Sequence, residues 1–181
     1  MLFRSEAFDK VSKLLGFGYP GGPQIERAAA LGKSDKISFP IADLKEPFNF
    51  SFSGLKTSVL RYVQNNYKDA NLIPTDDKND IAAAFQVAAV KALIKKVEKA
   101  LSQFKVRSIS LVGGVAANSE LRKAFEKLSK QHNLKLVIPD FEFCGDNAAM
   151  IAFRGMKSFE HGLVNDLDFS PYPGLTPQHF S

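Results

Sequence analysis

Apolar residues recur at helical spacing along much of the chain, and glycine, proline and small polar residues mark where each run stops. Ala7, Val11, Leu14 and Leu15 share one side of a helix over residues 6–15, with Gly16 placed to end it. Pro20-Gly21-Gly22-Pro23 reads as a backbone hinge, and Pro23 suits the first turn of a second helix that ends near Gly32. Phe48, Phe50 and Phe52 alternate with Asn49, Ser51 and Ser53, which predicts a short strand or extended segment leading into a helix over 54–67. Residues 71–80 hold proline, threonine, acids and amides and read as a loop whose last aspartates face the positive end of the next helix dipole. That next helix, over 79–103, is the longest element. Ile81, Phe85, Ala88 or Ala89, Leu93, Val97 and Leu101 form its buried stripe, and Lys91, Lys95, Lys96 and Lys99 lie mostly elsewhere around it.

Ser108-Ile109-Ser110-Leu111-Val112 then reads as a buried strand broken by Gly113-Gly114. A basic helix over 118–131, a second buried strand over 134–138 and a helix over 146–160 follow. From residue 79 onward the order of helix, strand, helix, strand, helix predicts an α/β layer. Two core strands leave too few partners for their own buried backbone groups, so the pattern predicts part of a domain rather than a closed one.

The 181 residues, 45% apolar and 24% charged, exclude a disordered, collagenous or disulfide-stapled chain and allow one domain or slightly more. The single cysteine, Cys144, cannot close an internal bridge and points to a reducing, cytoplasmic setting. No apolar run approaches the roughly 18 residues that would span a bilayer, and the first five residues are too short an apolar run for a signal peptide. Charge is uneven. Residues 91–135 carry 11 Lys or Arg against 3 Asp or Glu, a surplus that would steer a polyanion such as RNA or, more simply, solvate a helix face.

Several short motifs bear chemistry. A strand followed by Gly113-Gly114 and Val115-Ala116-Ala117-Asn118 is an arrangement in which side chains vanish so that a backbone can approach a nucleotide; it is equally a tight turn with Asn118 as a helix cap. Asp146-Asn147 opens the last helix, where a carboxylate can bind a cation or cap the helix. Cys144 beside it reads as a buried small hydrophobe. Asp9 and Glu6 can be solvated helix residues and Gly22 a turn glycine, while Ser53 and Lys56 flank Gly54 at a helix start. His132, His161 and His179 stand in no ligand spacing.

Five segments taken together resemble one family: Glu6-Ala7-Phe8-Asp9-Lys10, Gly18-Tyr19-Pro20-Gly21-Gly22-Pro23, Phe50-Ser51-Phe52-Ser53-Gly54-Leu55-Lys56, Gly113-Gly114-Val115-Ala116-Ala117-Asn118 and Asp146-Asn147-Ala148-Ala149-Met150-Ile151-Ala152. Their order and spacing are similar to those of the tRNA N6-adenosine threonylcarbamoyltransferases, the TsaD proteins. The resemblance implies an actin-like ATPase (ASKHA) fold of α/β class, of which this chain would hold an incomplete C-terminal lobe with a helical insertion. Residues 1–5 depart from the family and residues 6–181 would form the lobe, with its first strands and the N-terminal lobe absent.

The implied activity is transfer of a threonylcarbamoyl group from threonylcarbamoyl-adenylate to N6 of the adenosine beside the anticodon, in tRNAs reading codons that begin with A. By resemblance Asp9, Gly22 and Asn118 would bind the donor, Gly113 and Gly114 would form the nucleotide loop, and Asp146 would be a ligand of one divalent metal, iron or alternatively zinc. TsaB-like and TsaE-like partners are implied in the same way, and a membrane is not. The family's His-x-x-x-His metal motif and its N-terminal phosphate loop have no counterpart here. The isolated chain is therefore expected to be inactive. A nucleotide- or tRNA-binding module, or an ATPase or kinase of the same superfold, stands as the alternative, whereas a metallopeptidase would need an HExxH or a complete zinc set that the sequence lacks.

Overall fold

A computed structural model describes residues 3–42, 48–67, 69, 72–145, 147–164, 166 and 168, with side chains from residue 6 onward. The chain divides into two compact units, Met1–Gly145 and Asp146–Ser181. In the first, the order is α1 (Phe3–Leu14), α2 (Gly21–Leu31), α3 (Ser53–Asn66), α4 (Thr75–Gln103), β1 (Ser108–Ser110), α5 (Ser119–Gln131) and β2 (Lys135–Val137), with 3-10 turns at Gly114–Ala117 and Phe141–Phe143. The second holds α6 (Ala148–Glu160). The architecture is a helix-rich α/β unit with a small parallel sheet, in which Ser108 pairs with Lys135 and Ser110 with Val137.

α1 ends where its sequence punctuation says it should. Gly16 takes a φ of +77°, and the Phe17 and Gly16 amides donate back to Ser12 and Lys13 carbonyls, closing the last turn. α2 is then clamped at both ends by close backbone approach. A Cβ on Gly21 would lie 2.5 Å from the Asp9 Cα, and one on Gly32 would lie 2.1 Å from the Asn79 carbonyl oxygen. Only residues without a side chain let α2 sit this near to α1 and α4.

α4 is the spine of the unit and packs against α2, α3 and α5. Ile81, Phe85, Ala88, Ala89 and Leu93 are buried as its periodicity requires, and Phe8 meets Phe85 edge-on with ring centroids 5.0 Å apart. The core continues through Val11, Leu15, Ile25 and Val59, each no more than 1% exposed.

Three expectations are sharpened or corrected. Of the short strand or extended segment expected at Phe48, Phe50 and Phe52, no strand forms; the segment is irregular, with Phe52 buried and the other two half-exposed. The expected loop over 71–80 gives way at Thr75 to helix, so Asp76 and Asp77 sit in the first turn of α4 and Asp80 lies in its second. Lys96, expected away from the buried stripe, is only 6% exposed. The strands are also shorter than expected. Among the described residues no helix is long and apolar enough to cross a membrane.

Candidate functional site

Four of the five sequence motifs converge around α1. The N-terminal amides of a helix lack partners within it, and an acidic side chain offered to them is favourable. Asp9 supplies one: its Oδ1 accepts from the Gly21 amide at 2.7 Å, and its Oδ2 has no partner among the described residues. Beside it a Cβ on Gly22 would meet nothing within 4 Å, so the first turn of α2 is open to approach at that residue. Glu6, one turn before on α1, pairs with Lys10 at 2.5 Å and with Lys56 of α3 at 3.6 Å. The Lys10 ammonium, with Lys56 behind it, holds the Glu6 carboxyl below the usual range, and Glu6 in turn raises Lys10.

The glycine motif comes to the same helix from the other side. Gly113 takes a φ of +85°, which a side chain would strain, and Gly114–Ala117 then turns through a 3-10 coil that packs against α1. Phe8, Phe52, Val115 and Asn118, drawn from three separate motifs, close around one gap of only about 10 Å³. Asn118 caps α5, its Oδ1 accepting from the Leu121 amide at 2.9 Å, while its Nδ2 donates to Gln86 Oε1 of α4 at 2.9 Å. The cap and the amide pair leave Asn118 one further N–H and one further lone pair for another partner. Asp146 lies outside the described residues. Its neighbour Asn147 caps α6, accepting from the Met150 amide at 2.8 Å.

Three residues that the sequence reading passed over hold this arrangement. Gln86 is 5% exposed and stands in an otherwise apolar stretch of α4, a polar interruption that could have drawn notice. Glu26 of α2 accepts from the Ser119 amide at 2.9 Å and from the Ser119 hydroxyl, joining α2 to the start of α5. Arg122, in the first turn of α5, donates to the Ala116 carbonyl at 2.5 Å, the Pro139 carbonyl at 3.1 Å and Cys144 Sγ at 3.2 Å. One guanidinium thus fixes the glycine-motif turn against the loop that leads to Gly145. Cys144 is buried, as expected, and His132 and His161 are exposed.

Among the described residues there is no group of three or more His, Cys, Asp or Glu able to hold an ion, and stable iron or zinc sites need three or four protein ligands. Asp146, the ligand that the resemblance implies, is not among those residues.

Comparison with known proteins matches these features to one group. The family model described as TsaD, tRNA N6-adenosine threonylcarbamoyltransferase, covers residues 3–153. A protein of that name from Thermosipho africanus is 51% identical over 172 residues, 94% of this chain and 50% of the relative. Those from Caldicellulosiruptor bescii and Thermodesulfovibrio yellowstonii are 42% and 45% identical over 88% and 90% of this chain, which are 46% and 48% of theirs. The chain spans about half the length of the curated relatives it matches. By its motifs, their convergence on α1 and this similarity, the chain belongs to the tRNA N6-adenosine threonylcarbamoyltransferase family.

Proposed function

We propose that this chain is the C-terminal part of an enzyme that forms N6-threonylcarbamoyladenosine in tRNA, within an incomplete lobe of an actin-like ATPase fold, working in the cytoplasm. One observation carries the reading. Asp9 spends a single carboxylate oxygen on the Gly21 amide, and at the next residue, Gly22, a Cβ would meet nothing within 4 Å. A carboxylate so pinned accepts hydrogen bonds from the hydroxyls of a ribose, and a helix turn without side chains lets a nucleotide come close. Asn118 and the Gly113-Gly114 turn complete the donor site in this reading, and the basic segment over 91–135 faces tRNA.

The donor is threonylcarbamoyl-adenylate. Adenine N6 attacks its carbamoyl carbonyl, the N6–C bond forms, the C–O bond to the adenylate phosphate breaks, and AMP leaves as the N6 proton passes to phosphate or water. The residues present bind and orient the donor for this step. Asp146 is assigned by family resemblance to a metal, iron or alternatively zinc, whose remaining ligands would come from polypeptide that this chain does not match; a metal would polarise the carbonyl, and no step is assigned to it here. TsaB-like and TsaE-like proteins are proposed partners on the same ground.

A transfer assay with tRNA and threonylcarbamoyl-adenylate tests the reading. The 181-residue chain alone should give no modified tRNA, and adding the half of the Thermosipho africanus relative that it does not match should restore transfer. Robust turnover by the chain alone would overturn the division of labour, and failure of both would overturn the activity.

A further inference from the structure

Lysines that are balanced by acids along the sequence gather on one side of the fold. Residues 1–90 carry 11 Lys or Arg against 10 Asp or Glu, yet four of the lysines meet at a groove of about 690 Å³ between α1 and α3. Lys10, Lys13 and Lys56 line it, and at Gly16, which lines it too, a Cβ would lie 3.6 Å from the Nζ of Lys78 on α4. Acids of the same helices are spent elsewhere: Asp9 accepts from the Gly21 amide, Asp77 from the Tyr67 hydroxyl, and Asp80 from Lys36 and the Lys33 amide. Glu6 answers the cluster, divided between Lys10 at 2.5 Å and Lys56 at 3.6 Å. Among the described residues no carboxylate lines the groove, and Lys13 and Lys78 have no ion-pair partner. The C-terminal end of the α1 dipole offsets about half a unit of charge, so a surplus of about two positive charges remains.

The groove is not polar throughout. Leu14 and Leu60 place aliphatic surface among the lysines, Leu60 being 40% exposed, and Ser53 brings a hydroxyl at the start of α3. Cations set around exposed apolar surface suit a chain whose charges alternate with flat, weakly polar parts, as the phosphates of a nucleic acid strand alternate with its riboses and bases. From Lys10 to Gly16 the groove follows α1 for about 9 Å at the helical rise, longer than one phosphate. Its place favours RNA over an acidic peptide. Lys13 follows Asp9 by four residues on α1, which sets their Cβ atoms about 5–6 Å apart, and Asp9 is the carboxylate assigned above to the donor. A strand that delivers an adenine to that donor has to lay its neighbouring phosphates within reach of the groove.

We propose that the α1–α3 groove binds the RNA backbone beside the adenosine being modified, with Lys13 and Lys78 each contacting a phosphate. This rests on the proposed function and adds to it a contact outside the basic segment over 91–135.

The test is fluorescence anisotropy of the 181-residue chain with a labelled anticodon stem-loop RNA over a range of salt, beside titration calorimetry with threonylcarbamoyl-adenylate. Lys13→Gln and Lys78→Gln should each weaken RNA binding about fivefold at about 0.1 M salt and lower the slope of log affinity against log salt by about 0.7, the value of one contact to a single strand. Lys33→Gln, which removes the same charge just past the far end of α2, should weaken binding by less than about twofold. Lys13 is exposed and Lys78 half-buried, on separate helices, so each variant stands should the other misfold, and circular dichroism establishes which are folded. Folded groove variants that bind RNA as wild type does, or no more weakly than Lys33→Gln, overturn the groove. So does poly-glutamate that binds as tightly as the RNA and is weakened equally by the two substitutions. A wild-type chain that binds the donor and no RNA overturns the groove alone, whereas one that binds neither overturns the proposed function as well.

Discussion

Asn118 Nδ2 and Gln86 Oε1 lie 2.9 Å apart, a buried amide pair that joins the cap of α5 to the middle of α4 across 32 positions of sequence. Because Asn118 also caps α5, two roles depend on one side chain. Asn118→Ala removes the cap and strands the Gln86 carboxamide, and should cost about 2 to 4 kcal/mol of stability in urea unfolding. A double-mutant cycle with Gln86→Leu should return a coupling of about 1 kcal/mol; additive losses would show that the pair is not energetically joined.

Gly32 and Gly22 flank opposite ends of α2 and should answer differently to alanine. At Gly32 the new methyl would sit 2.1 Å from the Asn79 carbonyl oxygen, so α2 and α4 must part, at about 1 to 3 kcal/mol. At Gly22 the methyl has room, and helix propensity favours alanine by up to about 1 kcal/mol. Gly22→Ala should therefore leave the thermal midpoint level or raised while weakening threonylcarbamoyl-adenylate in titration calorimetry. Unchanged donor affinity would remove Gly22 from the proposed site.

Asp80, buried on α4, accepts from the Lys36 ammonium at 2.5 Å and the Lys33 amide at 2.6 Å. Lys36 first, and the Lys33 amide second, hold its carboxyl below the usual carboxylate range. The folded chain thus binds this proton less tightly than the unfolded one. Its contribution is present above the ordinary aspartate value of about 4 and is lost as pH falls through the lower folded value. Asp80→Asn should be less stable than wild type at neutral pH, and the gap between their urea midpoints should narrow below about pH 4. A gap independent of pH would contradict the ion pair.

Arg122→Met should loosen two loops at once, since the Ala116 and Pro139 carbonyls and the Cys144 thiol share that guanidinium. A stability loss of about 2 kcal/mol is expected. Cys144 is the only cysteine and is 3% exposed, so thiol labelling reads the opening directly. Labelling no faster than in wild type would show that the loops are held by something else.

Much of this was legible from residue order. The stripe of Ile81, Phe85 and Leu93, the glycine stop at Gly16 and the cap at Asn118 are local patterns, and local patterns survive into the fold. The Phe48, Phe50 and Phe52 alternation misled because a strand is made by its neighbour, and period two records only which side chains alternate. The start of α4 was missed because Pro74 and the acids after it suit a loop and a first helical turn equally. Within the site, the motifs named Asp9, Gly22 and Asn118, but Glu26 and Gln86 matter only through residues 93 and 32 positions away, which no window along the chain contains.

α4 runs 29 residues, about 43 Å of rod at the usual helical rise, and three other helices lean on it. A unit hung on a single beam has few ways to open piecemeal. Amides near Phe85 should trade their hydrogens for deuterium only when the whole unit comes apart, so their exchange rate becomes a gauge of global unfolding that needs no denaturant.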